Sequence, residues 1–216
     1  PSVGGLRLSG KVNQNWRIGF MRIQTEGGVP RGARSENFTV AAVQRRVFKR
    51  SNLGLIFVNK QAFDQFNPQW QDYNRLVGID FDLASANGKW QGKAFYHHTF
   101  SPGDEAFVGA NATWLMYRTG NLTAHWNHEY VNEGYNAEVG FVPRLSRFNP
   151  ETGEVEKKTY WRLEPSFDYQ FYPKNGTVVN WHGPTIYYDG FFDERFSETD
   201  RRIYLGYRIK FANTAY

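Results

Sequence analysis

The chain has 216 residues, 18% of them aromatic, a net charge of +5, no cysteine and a mean hydropathy of -0.64. Without cysteine there is no disulfide framework, thiolate zinc site or cysteine nucleophile. The mild, scattered positive charge lacks the dense basic runs of a nucleic-acid or polybasic surface, and no apolar stretch approaches the roughly 20 residues of a membrane-spanning helix.

From the start, Gly5–Val12 alternates, with Leu6 and Leu8 opposite Arg7 and Ser9, and Asn13-Gln14-Asn15 turns the chain. Trp16–Thr25 carries Trp16, Ile18 and Phe20 on one face, then slips phase at Met21–Ile23, which reads as a bulge. Glu26–Glu36 is a polar, glycine-rich loop. Asn37–Phe48 has Phe38, Val40 and Ala42 in phase and Val43 and Val47 out of it. Arg50–Asn52 turns into a strand over Leu53–Asn59, and Lys60–Asp72 reads as an extended aromatic and polar loop.

Asn74–Ala84 returns to alternation, with Val77, Ile79, Phe81 and Leu83 against Gly78, Asp80 and Asp82, and Leu76 out of step. Asn87-Gly88 signals a hairpin into Trp90–Phe100. Strands follow over Glu105–Tyr117, Leu122–Val131 and Ala137–Pro143, and then a charged loop over Arg144–Thr159. In Tyr160–Phe171 every odd position from Trp161 is apolar or aromatic and every even position from Arg162 to Gln170 is polar, the period of a two-faced strand. A turn at Lys174-Asn175-Gly176, a strand over Thr177–Tyr188, a loop over Asp189–Asp200 and a strand over Arg201–Phe211 complete the chain.

About twelve strands result, with short turns alternating with longer polar loops and no helix. Strands near ten residues with one apolar face and one polar face are those of an antiparallel up-and-down transmembrane β-barrel. Many aromatics in a hydrophilic chain fit, because half of each strand then faces lipid and half a wet or charged interior. A soluble lipocalin-like or sandwich protein would put the aromatics inside. Full charges at Asp80, Asp82, Arg162, Glu164, Asp168, Arg208 and Lys210 directly opposite continuous aromatics argue against it. Those seven residues are expected to form a charge ladder across the lumen. Trp126, Tyr130, Trp161, Phe167, Tyr169 and Phe171 are expected to face lipid or the membrane interface.

Five blocks occur in order: Gly10-Lys11, Trp16-Arg17-Ile18-Gly19, Asn37-Phe38-Thr39-Val40, Arg50-Ser51-Asn52-Leu53-Gly54 and Val139-Gly140-Phe141-Val142-Pro143-Arg144. Together they resemble the C-terminal barrel region of the domain of unknown function 5916 family, found in outer-membrane proteins of Bacteroidota-type bacteria, usually behind a carbohydrate-binding-like family 9 domain. The resemblance implies a bacterial outer-membrane location and supplies no activity or catalytic residue. It also implies that residues 1–216 are a barrel fragment lacking an N-terminal domain and some strands. An abrupt start at Pro1 without a leader fits an interior segment of a longer precursor.

Chemical constellations are weak. His97 and His98 are adjacent, and His125 and His128 are an odd number apart, so within a strand each pair diverges and cannot share a metal. Ser101 lies near His97 in sequence, but lumen polarity and interfacial anchoring account for the histidines more simply. Asp80 and Asp82 share a face at a spacing that could bind a cation, yet neighbouring Lys and Arg favour a charge ladder. No phosphate loop is present. Aromatics of Phe63–Trp70 could stack on sugars, and packing or interface anchoring explains them as well.

The expectation is therefore an outer-membrane β-barrel domain with a structural, transport or envelope-complex role, no catalysis, no cofactor and no bound metal. Its partners would be the bilayer and lipopolysaccharide, with other outer-membrane proteins and glycans as candidates and nucleic acid excluded. The alternatives are a glycan-binding or glycan-uptake protein, which would show a flat exposed aromatic platform, and an outer-membrane hydrolase, which would bring a Ser, a His and an acid or amide together.

Overall fold

The computed structural model describes residues 2–27, 34–64, 67–104, 108–138, 146–150, 152–174 and 178–213. It is an antiparallel meander. Strands β1 (Ser2–Lys11), β2 (Trp16–Thr25), β3 (Ser35–Val47), β4 (Ser51–Asp64), β5 (Asn67–Ala84), β6 (Trp90–Phe100), β7 (Gly109–Arg118) and β8 (Leu122–Val131) pair each with the next. A separate hairpin, β9 (Ser146–Asn149) with β10 (Glu154–Lys157), stands in the connection after β8. The sheet resumes with β11 (Tyr160–Leu163), β12 (Ser166–Tyr169), β13 (Val179–Phe192) and β14 (Glu198–Phe211). No helix occurs among the described residues.

β11 and β12 both lie between β8 and β13, so they are one ribbon, and the twelve-stranded sheet consists of eleven ribbons. The interruption falls at Glu164-Pro165. Glu164 still exchanges backbone hydrogen bonds with Asn127, and the Pro165 carbonyl still accepts from the Tyr188 N–H at 3.0 Å. Pro165 has no N–H to return, which breaks the ladder without breaking the ribbon. Tyr160–Phe171 thus runs as read from its alternation, with Phe171 bridging His182.

The sheet does not close. β1 pairs only with β2 and β14 only with β13, and the two edge strands share no contact. The expected barrel is an open antiparallel up-and-down sheet over the described residues.

Alternation delivered the strands, and its irregularities have other causes than those expected. The β2 pairings run unshifted through Met21–Ile23, so there is no bulge there. Met21 and Ile23 simply lie on the charged face, as do Phe38, Val40, Ala42 and Leu76, where that face turns apolar near the loop rim. Lys60–Asp72 is not a loop but an arm of β4 and β5, paired out to Asp64–Asn67. The register shifts between Gln61 and Phe63, and the buried Gln61 amide donates to the Gln69 carbonyl at 2.7 Å and the Asp72 carbonyl at 3.3 Å. Of the Ala137–Pro143 strand, residues 139–143 lie outside the described residues, and Ala137 and Glu138 belong to a folded loop. Asp189 lies within β13, and the Arg144–Thr159 connection contains the β9–β10 hairpin.

Four short turns, 12–15, 48–50, 85–89 and 119–121, gather at one rim, the turn rim, and the longer connections 26–34, 101–108 and 132–159 at the other, the loop rim. At the turn rim, Asn13 Oδ1 accepts from the N–H groups of Asn15 and Trp16. The expected Asn87-Gly88 turn is present, with Gly88 at φ 71° and Asn87 Oδ1 accepting from Lys89 N–H.

Gly183 is required by close approach. A Cβ on Gly183 would stand 1.7 Å from the Tyr169 carbonyl oxygen, a backbone atom that cannot swing aside. Gly183→Ala is expected to cost about 3 kcal/mol through overpacking. Gly10→Ala, where a Cβ meets nothing within 4 Å, should stay within about 0.5 kcal/mol. Urea midpoints of the detergent-refolded protein compare them, and equal midpoints would refute this account of the β12–β13 seam.

Candidate functional site: the charged face of the sheet

Because side chains alternate across a strand, the pairing register sorts the sheet into two faces. One carries Leu8, Phe20, Ala41, Phe57 and Val77 as cross-strand neighbours, and Ile18, Val43, Leu55, Ile79 and Tyr96 as the next row. Trp126, Tyr130, Trp161, Phe167, Tyr169 and Phe171 all share this apolar face. Tyr130 packs on Trp161 with ring centroids 4.5 Å apart, and Tyr169 on Phe171 at 4.7 Å.

All seven predicted ladder residues lie on the opposite face. One row runs Arg17, Gln44, Gly54, Asp80, Phe95, Ala112, Glu129, Arg162. The next runs Asn52, Asp82, Lys93, Trp114, Asn127, with Asn127 bonded to Glu164. They do not make one continuous ladder: Phe95, Ala112 and Trp114 interrupt the charges and leave separate networks.

In the first network, Lys93 Nζ lies 3.5 Å from Asp80 and 3.6 Å from Asp82, while Gln44 Nε2 donates to Asp82 at 3.1 Å. In the second, Arg162 donates through Nε and Nη2 to both oxygens of Asp189, at 2.7 and 3.2 Å. Its Nη atoms also reach Glu129 at 3.4 Å and Glu164 at 3.3 Å. Glu164 is held further by Asn127 Nδ2 at 2.9 Å and the Tyr187 hydroxyl at 2.7 Å. A planar guanidinium with five donors suits this many-sided role. Arg208 pairs with Asp168 and stacks over Trp181, and Lys210 lies opposite Trp181 in register. The partners Lys93, Glu129 and Asp189 were absent from the predicted set. Lys93 and Glu129 were visible on polar faces of predicted strands, whereas Asp189 was hidden by its assignment to a loop.

At the loop rim a second feature had no sequence signal. The segment Asn132–Glu138 folds onto the charged face and buries Tyr135 among Leu76, Ala110, Val131 and Tyr160. Asn74, only 2% exposed, donates to the Asn136 carbonyl at 2.7 Å and to Ser101 Oγ at 2.9 Å. Thr99, 0% exposed, accepts from Asn136 N–H at 3.3 Å. Lys60 ties the loop end by lying 2.5 Å from Glu138 and 2.8 Å from Glu36. Gly134 passes beneath Val108, where a Cβ would stand 2.3 Å from a methyl carbon. Burial pushes the Tyr135 phenol above its ordinary value, so it stays protonated at neutral pH.

The histidines diverge as expected. His97 packs on Phe95 on the charged face, while His98 packs on Phe100 on the apolar face. His125 faces Trp114, and His128 accepts from Trp126 Nε1 on the other side. No group of three potential metal ligands occurs among the described residues. Ser101 Oγ serves the Asn74 anchor and has no hydrogen bond to His97. Among the described residues of the β4–β5 arm, Trp70 is 70% exposed, Phe63 and Tyr73 are half-buried, and no ring stacking joins them into a platform; Phe66 lies outside the described residues.

Removing one cation from a hub of three carboxylates leaves charges that water reaches poorly. Arg162→Met should cost about 3 kcal/mol. Arg208→Met, at a more exposed single pair, should cost under about 1 kcal/mol. Urea titration of both variants checks the ranking, and a reversed order would remove Arg162 as the centre of the network.

Comparison of the chain with protein-family models, curated proteins and solved structures finds no match in any of the three.

Proposed function

We propose that this chain forms part of the wall of a transmembrane antiparallel β-barrel in a bacterial outer membrane. Its apolar face would lie against lipid and lipopolysaccharide and its charged face toward the lumen. The role is structural, transport or envelope-complex assembly, without chemistry of its own in this region.

The observation that carries the reading is the uncovered apolar face. The accessible surface is 14745 Å² for a 25.1 kDa chain, against about 10,300 Å² for a compact soluble monomer of that mass. Leu55, Ile79, Ile186, Ile203 and Leu205 are all exposed on one side. The buried hydrophobic residues among those described are few and cluster at the loop rim of the other side. A contiguous apolar patch of this extent marks a membrane or protein interface. The ionic networks on the other side are what a polar lumen accommodates. Four of the five turn-rim connections are short and the longest connections lie at the other rim, a bias also found in outer-membrane barrels.

Two measurements test the reading. The complete protein, refolded in detergent, should show heat-modifiable gel mobility and insert into liposomes; a soluble monomer that ignores lipid would sink the proposal. In lipid vesicles, Ile79→Lys should cost about 2–4 kcal/mol, the depth-dependent penalty for a cation near the bilayer midplane. Gln91→Lys, exposed on the charged face, should stay within about 0.5 kcal/mol. Equal costs would mean that the apolar face does not meet lipid.

A further inference from the structure

The charged face is unequal along its width. At the loop rim, over β4 to β8 and β11, the loop Asn132–Glu138 lies on it, fixed by Asn74, Thr99 and Lys60 and sealed by Tyr135. Over β1 to β6, below that loop, the face is open and holds a trough of about 610 Å³. The trough exists because small residues line it. Gly19 and Ala42 pair across β2 and β3, and Gly54 leaves the space into which the Asp80 carboxylate leans. Its lining is mainly apolar, and its polar members are Ser9, Arg17, Gln44, Asp80, Lys93 and His97.

We propose that this trough is the permeation path of the lumen, with the Asn132–Glu138 loop sealing the other half. The inference rests on the barrel reading above. Barrel size makes the loop decisive: about eight strands leave an interior filled by side chains, and about sixteen leave an aqueous channel. Eleven ribbons and any closing strands start between those limits, where a loop packed on one wall determines how much lumen stays open. A volume of about 610 Å³ holds on the order of twenty water molecules at ~30 Å³ each. That is room for small solutes, which would meet an apolar wall carrying a few groups of both charge signs. Arg17 and Lys93 would meet anionic groups, and Asp80 and Gln44 cationic or hydroxyl groups.

The cysteine-free chain allows a direct test on the complete protein in planar bilayers. Ala42→Cys places a thiol in the trough, and Ala110→Cys places one beneath the loop, where Ala110 is 5% exposed. Both exchanges are small enough to preserve the strands. A cationic methanethiosulfonate reagent in potassium chloride should cut the conductance of Ala42→Cys by about twofold or more and leave that of Ala110→Cys unchanged. No effect at Ala42→Cys, or an equal effect at both, would overturn the proposal. Insertion without any conductance would overturn it too, while leaving the barrel reading intact. Failure to insert at all would overturn both.

Discussion

The fold depends on one constraint, that the backbone finds its hydrogen bonds almost entirely within a single sheet. No helix and no second sheet layer lies across the apolar face of the described residues. In a soluble sheet one face normally finds a covering layer, and burial beneath it supplies most of the stability. Here the ladder runs from β1 to β14 through register shifts at Ser2/Gly4, Gln61/Phe63, Val179/Trp181 and Phe191/Phe192, and where it breaks at Pro165 the proline carbonyl stays bonded. What the ladder cannot satisfy are its two edges. β1 and β14 both run from the loop rim to the turn rim, so they are parallel to each other and cannot be antiparallel partners. Closing the sheet through antiparallel pairs takes an odd number of further strands. A two-fold pairing of two copies, edge to like edge, would invert one copy relative to the bilayer.

That single layer explains how the charged face is divided. Toward the turn rim its residues answer one another across strands, as Lys93 does Asp80 and Asp82, and Arg162 does Glu129 and Asp189. Such partly buried networks hold only when most members are satisfied, and the interleaved Asn127, Gln44 and Tyr187 supply the remaining donors. Toward the loop rim the same face becomes apolar, at Ile56, Val58, Leu76, Ala110 and Val131. Those residues would be exposed without a cover. The segment Asn132–Glu138 after β8 is that cover, and among the described residues it is where a small core of soluble type is built.

This division also decides what was legible in the sequence. Where one face is apolar and the other charged, period two is unmistakable, and Asn74–Ala84, Leu122–Val131, Tyr160–Phe171 and Arg201–Phe211 read directly as ribbons. Where both faces are apolar, the period fails: Met21, Ile23, Phe38, Val40 and Leu76 looked like slips because they pack on the charged face near the loop rim. Where scattered aromatics sit among polar residues without a period, as in the β4–β5 arm, there is no hydrophobic contrast between faces, and paired strands pass for a loop. The charged residues themselves were placed on the correct face. Their grouping was not readable, because pairing register and side-chain reach bring Arg162 to Asp189 across a ribbon and leave Lys93 apart from Glu129. Nothing in the spacing of Asn132–Glu138 announces that it folds inward.

The burial order inverts that of a protein folded for water. Among the most deeply buried side chains are Thr99, Ser51 and Asn74, while Leu205 is 72% exposed and its apolar neighbours on β14 lie open as well. In water that order would forfeit the hydrophobic contribution on which folding depends. In the proposed barrel the exposed leucine would meet lipid at no cost, and the cost would move to polar groups, which must be paired where water is absent. Thr99 and Asn74 meet that demand by fixing the loop backbone, and Ser51 by bonding to the backbone of Ala84. The buried polar residues therefore act as fasteners of a single sheet and its one inward loop, and the exposed apolar residues as the surface that a bilayer would solvate.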